Sequence, residues 1–174
     1  AVSLGEITYF DLGNAWAPTL ILLPGIGVTK TNWDPAFLRD LAPHFRLIAP
    51  DYPGIGTATI NDYDNFTVEN LAAVVWELIT ELDLDRPHIL GFAFSGKVAG
   101  LMFLEHGREL GRFVNVAGRI YNVSGRTVSD EKLQQLTSLD PLDVVLAAWP
   151  DNECGIANLT AVADPLGGSY YVES

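Results

Sequence analysis

The first two-thirds of the chain alternate short apolar runs with longer stretches whose apolar residues recur every three or four positions. Leu20-Ile21-Leu22-Leu23 ends in Pro24-Gly25, and Phe45-Arg46-Leu47-Ile48-Ala49-Pro50 ends in Asp51 and the glycine-punctuated loop Tyr52-Pro53-Gly54-Ile55-Gly56. Runs this short, bounded by turn residues, predict buried strands. Trp33-Asp34 opens a predicted helix between them. From Phe66 to Asp83, Leu71, Val74, Val75, Leu78, Ile79 and Leu82 keep helical spacing, and Thr67 stands where an N-cap belongs. A third apolar run, His88-Ile89-Leu90, leads into Gly91-Phe92-Ala93-Phe94-Ser95-Gly96. The order predicts an α/β fold with a mostly parallel sheet and flanking helices.

The segment Gly91 to Gly96 has the form of a strand-to-helix turn that presents a nucleophile at its apex. Such a turn reverses so sharply that only small residues fit two positions before and after the apex, the places of Gly91 and Ser95 around Ala93. The apex residue is alanine. A methyl group neither attacks an acyl carbon nor gives a proton to a base, so acyl transfer by a Ser-His-acid route has no nucleophile at Ala93. Ser95 falls in the first helical turn, where a serine side chain usually caps or contacts backbone rather than facing a cleft.

Taken in order, these motifs resemble the α/β-hydrolase family from about Gly5 to about Gly118. The resemblance implies that Pro24-Gly25-Ile26 stands where the family carries a His-Gly pair before its oxyanion residue. It also implies that Phe113-Val114-Asn115-Val116-Ala117-Gly118 is the strand after the elbow helix. The oxyanion hole would then be formed by the main-chain N–H groups of Ile26 and Phe94, which no side-chain change removes, helped by the positive end of the helix opening at Phe94. Equally, these amides could simply begin a helix and bind water. Gly25 and the aromatic residues Trp33, Phe92 and Phe94 would line such a pocket, or else belong to the core.

In that family the catalytic histidine follows the last strand, at the carboxyl edge of the sheet. The three histidines here, His44, His88 and His106, are expected at the opposite edge, and none follows residue 106. A length of 174 residues suits one domain and is short for the full family fold, so residues 1–118 are expected to form a family-like core and residues 119–174 an atypical C-terminal part. There Ser129 or Asp130 could cap a helix through Leu133 and Leu136, and Leu139 to Trp149 is expected to be helical, interrupted by Pro141. The last stretch, Asp164-Pro165-Leu166-Gly167-Gly168-Ser169-Tyr170-Tyr171-Val172-Glu173, is similar to a short run of the methylmalonyl-CoA mutase family. Neither that family's barrel nor a cobalamin signature accompanies it, so mutase activity is not carried over. Structurally it reads as a Gly-Gly-Ser turn into an edge strand. Asp140, Asp143 and Asp164 are acids by position only.

Ten basic against 22 acidic residues give a net charge of −12, which repels phosphate backbones and anionic membranes, so nucleic acid and membranes are not expected partners. With 48% hydrophobic and 18% charged residues the chain is globular rather than disordered. A lone cysteine, Cys154, forms no internal disulfide and no basic-apolar leader is seen, so a cytoplasmic location is expected. No metal-ligand spacing, phosphate loop or dinucleotide fingerprint appears, and no cofactor is expected. Three readings follow: a serine ester or acyl hydrolase relative inactivated at Ala93, a non-catalytic binding module for a small acyl or carboxylate ligand, or a chimeric scaffold whose incomplete sheet self-associates into a homo-oligomer.

Overall fold

The computed structural model describes residues 2–117 and, beyond them, the strand segments 122–123, 126–127, 144–148 and 169–172. Strands β1 (Thr8–Gly13), β2 (Thr19–Leu23), β3 (Arg46–Asp51), β4 (His88–Phe92), β5 (Phe113–Val116), β8 (Val144–Ala148) and β9 (Ser169–Val172) form one sheet in the order β1-β3-β2-β4-β5-β8-β9. Only β1 is antiparallel to its neighbour; the other pairings are parallel. A separate two-stranded ladder joins β6 (Asn122–Val123) to β7 (Arg126–Thr127).

Helices α1 (Pro35–Leu41), α2 (Val68–Glu81) and α3 (Ser95–His106) connect the parallel strands. Their chemistry at the ends is local: the Asp34 carboxylate accepts from Ala36 N–H at 2.7 Å with Pro35 in the first turn, and Thr67 Oγ1 accepts from Asn70 N–H at 3.2 Å. The core divides by sheet face. Ile21, Leu23, Ile48 and Ile89 pack with α2 and α3, whereas Leu20, Leu22, Leu47 and Leu90 pack with Phe37, Leu38 and Leu41 of α1. Successive strand residues point to opposite faces, so a strand buried on both must be apolar throughout, as Leu20–Leu23 is.

Two expectations for the C-terminal part are corrected. Leu139–Trp149 is not helical along its length: Val144–Ala148 is a strand that pairs with β5. The sheet is not left without later strands, because β8 and β9 extend it to seven, and the Ser169-Tyr170-Tyr171-Val172 stretch is an edge strand. The proposed helix at Ser129–Leu136, Cys154, and Asp140, Asp143 and Asp164 lie outside the described residues.

Candidate active site

From β2 the chain moves to one side of the sheet, through α1 to β3, and later returns across β2 to β4, continuing through α3 on the other face. The strand order therefore reverses between β2 and β4, and the loops leaving their carboxyl ends diverge there. Such a reversal is the place where open parallel sheets bind ligands. The loop after β2 is Pro24-Gly25-Ile26-Gly27; the turn after β4 centres on Ala93.

Ala93 has φ +50, a left-handed backbone that an L-residue other than glycine rarely holds. The elbow is fixed on both sides. Ala93 N–H donates to the Val116 carbonyl at 2.8 Å, and Gly96 N–H donates to the Ala93 carbonyl at 3.1 Å. Gly91 has no freedom to be larger, because a Cβ there would sit 2.6 Å from the Ser95 carbonyl oxygen. Among the described residues, none accepts a hydrogen bond from Ile26 N–H or Phe94 N–H.

Ser95 is fully buried, and its hydroxyl is used up. It donates to the Pro24 carbonyl, which can only accept, so the Tyr52 O–H must donate to Ser95 Oγ, at 2.7 Å. Burial pushes the Tyr52 phenol far above its ordinary value, against a smaller opposite pull from Ser95, which keeps it a proton donor. Ser95 is thus a tie between α3 and the loop after β2.

A second buried group was not singled out by sequence. Asp51, 1% exposed, accepts from Lys30 N–H at 2.5 Å and pairs with Lys30 Nζ. Thr8 Oγ1 lies between them, accepting from Lys30 Nζ at 2.9 Å and donating to Asp51 Oδ2 at 3.3 Å. Gly56 lies against this carboxylate; a Cβ there would be 2.7 Å from Asp51 Oδ2. The available clue was an aspartate at the carboxyl end of an apolar strand, since a charge buried there requires a cation nearby.

The aromatic residues do not gather as one wall. Trp33 and Phe92 meet edge to face at 6.3 Å and, with Pro24, Gly25 and Val28, line a cavity of about 270 Å³, whereas Phe94 packs on the opposite side with the α2 and α3 core. Ile26 is 60% exposed. The histidines are remote from the elbow in the chain's layout. His88 begins β4 and accepts from Arg112 N–H at 2.8 Å, His106 stacks on Trp76 at 3.7 Å at the end of α3, and His44 precedes β3. Among the described residues no cluster of His, Cys, Asp or Glu could hold a metal ion, and no helix is long and apolar enough to cross a membrane.

Residues 18–143 match the model of the alpha/beta hydrolase fold family. The chain belongs to that family. It is 26% identical over 145 residues to a protein named as a carbamate hydrolase, RutD, from Agrobacterium fabrum, covering 78% of this chain and 55% of that one. Its fold matches the enol-lactonase from Burkholderia xenovorans LB400 with a TM-score of 0.82 at 15% identity, covering all of this chain and 90% of the other. It also matches the meta-cleavage product hydrolase CumD from Pseudomonas fluorescens IP01, in a serine-to-alanine mutant complexed with acetates, with a TM-score of 0.76 at 15% identity and 98% and 89% coverage. This member of the alpha/beta hydrolase fold family spans about half the length of the curated relatives it matches.

Proposed function

We propose that this chain derives from an ester or related acyl hydrolase and, with Ala93 at the nucleophile position, binds small carboxylates and acyl groups without cleaving them. One observation carries the reading. An alanine is held in the left-handed conformation that a strand-to-helix elbow imposes, at the carboxyl end of β4 where the strand order reverses. The backbone conformation of a nucleophile turn is present with a methyl group at its apex.

Supporting it, the N–H groups of Ile26 and Phe94 have no acceptor among the described residues, which leaves two main-chain donors for a carbonyl oxygen or carboxylate. The carbamate hydrolase and enol-lactonase among the similar proteins act, by name, on carbonyl compounds of related chemistry. Acetate is the natural first probe, since the serine-to-alanine mutant of the meta-cleavage product hydrolase is complexed with it.

The test is a titration of the 15N-labelled protein with acetate, followed by p-nitrophenyl acetate hydrolysis by the chain and its Ala93→Ser variant. Acetate is expected to shift the Ile26 and Phe94 amide resonances. Both proteins are expected to hydrolyse the ester at the rate of buffer, because a serine hydroxyl without an imidazole base is a weak nucleophile. Amides that ignore acetate, or turnover by the unsubstituted chain, would overturn the reading.

A further inference from the structure

Two buried polar groups, one centred on Tyr52 and one on Asp51, belong to consecutive residues. Both side chains are 1% exposed, and both come from the carboxyl end of β3, a strand that contributes neither the elbow nor the loop after β2. Tyr52 reaches the beginning of that loop through Ser95, whose hydroxyl donates to the Pro24 carbonyl. Asp51 reaches its far end by taking the main-chain N–H and the ammonium of Lys30.

Between the two anchor points Thr29 is bonded to Asn32, its N–H donating to Asn32 Oδ1 at 2.9 Å, and the stretch from Gly25 to Val28 has little of its own. Val28 N–H reaches the Gly25 carbonyl only at 3.5 Å, Gly27 has φ +73 with nothing within 4 Å of where a Cβ would stand, and Ile26 is 60% exposed. The position of the Ile26 N–H relative to Phe94 is therefore not fixed by contacts of Ile26 itself. It is fixed by where Pro24 and Lys30 are pinned.

We propose that Asp51 and Tyr52 are positioning residues that hold the 24–30 loop at both ends, and so set the Ile26 amide against the amide of Phe94. The proposal rests on the acyl-binding reading for its consequence and on the loop alone for its test. Tyr52 and Ser95 act at the elbow side, since Ser95 is the first residue of α3 and its bond to Pro24 links the two donor-bearing segments directly. Asp51, Lys30 and Thr8 act at the outer side, where the Phe10 ring of β1 lies 5.5 Å from Lys30 Nζ and the Lys30 side chain is mostly buried. A carboxylate and a phenol are suited to this because each bond is made in a buried, low-dielectric place, where losing a partner leaves a polar atom unsatisfied.

Amide hydrogen exchange, read without any ligand, tests it. In Tyr52→Phe, which keeps the ring and removes only the hydroxyl, the Val28 amide is expected to exchange about tenfold faster or more, and in Asp51→Asn the Lys30 and Asn32 amides likewise, while Ile89 and Leu90 in β4 are unchanged. Ser95→Ala, which keeps a small residue and removes the hydroxyl that links Tyr52 to Pro24, should release the loop as Tyr52→Phe does. Loop and sheet amides rising together, or no change in the loop, would overturn the proposal by showing only global stability or no tether. Acetate is then titrated into the same samples. If the loop is released and acetate loses its effect on Ile26 but keeps its effect on Phe94, both the tether and the pocket stand. If the loop is released and acetate never perturbed either amide in the unsubstituted chain, the acyl-binding reading fails and the tether stands.

Discussion

At the scale of single residues, the elbow sets steric demands against conformational ones. Gly91 is dictated by contact, as a methyl there would collide with the Ser95 carbonyl at 2.6 Å, whereas Ala93 meets no such wall and is unfavourable for its φ alone. A left-handed alanine costs about 1–2 kcal/mol, and glycine in its place would lose part of that gain to the greater freedom of the unfolded chain, about 0.5–1 kcal/mol. Ala93→Gly should therefore stabilise the protein by roughly 0.5–1 kcal/mol in urea unfolding. A loss of stability would mean that the alanine is not strained. A strained residue at this place is the sort that a functional turn retains, and replacing it with the more comfortable glycine tests the backbone without reference to any ligand.

At the scale of elements, the parts legible in sequence are those whose pattern is local. Helix α2 was readable because its apolar residues keep a 3.6 period and Thr67 caps it; the observed Val68–Glu81 lies inside the expected 66–83. Strand β8 was not, because Val144-Val145-Leu146-Ala147-Ala148 is a five-residue apolar run without alternation, and a strand destined for the inside of a parallel sheet looks the same as a buried piece of helix. Strand β1, antiparallel to β3, is held to it in part by charge. Arg46 on β3 forms two hydrogen bonds to Asp11 on β1, at 3.0 and 2.6 Å, and these bonds hold the Asp11 carboxyl below its usual value. A depressed carboxyl adds stability above its unfolded pKa and loses it as pH falls through the folded one. Since the pair is part-exposed, Asp11→Asn should cost under about 1 kcal/mol at pH 7, with the difference shrinking toward zero as pH drops below 3.8. Unfolding curves of both proteins from pH 7 to pH 2.5 would show it, and a deficit that persists at the acid end would assign the loss to packing instead.

For the whole molecule, what sequence conveys is the layout, and what it hides is the wiring. Alternating strand and helix patterns lead to a parallel sheet and so to a crevice where the order reverses, but the bonds that fix the crevice span 21 residues from Lys30 to Asp51, 43 from Tyr52 to Ser95 and 71 from Pro24 to Ser95. No periodicity records such pairs, and only an aspartate buried at a strand end hints at one. Charge acts on the same scale. Twelve more acids than bases repel one another across the surface, while among the described residues Lys30–Asp51 is shielded from solvent, and Arg46–Asp11 and Arg39–Asp40 are more exposed pairs of small worth. Raising ionic strength from about 0.01 to 0.15 M shortens the screening length from roughly 30 to 8 Å, which removes the long-range repulsion and leaves the buried pair almost untouched. The protein should therefore melt higher in 150 mM than in 10 mM sodium chloride, by roughly 2–4 °C for each kcal/mol gained at this chain length. A melting temperature that falls with salt would mean that local ion pairs outweigh the net charge. The same field bears on the crevice. In the proposed reading, an acidic molecule would bind an anionic carboxylate only where the local field is reversed, and the Phe94 N–H at the opening of α3, without an acceptor among the described residues, is what would reverse it.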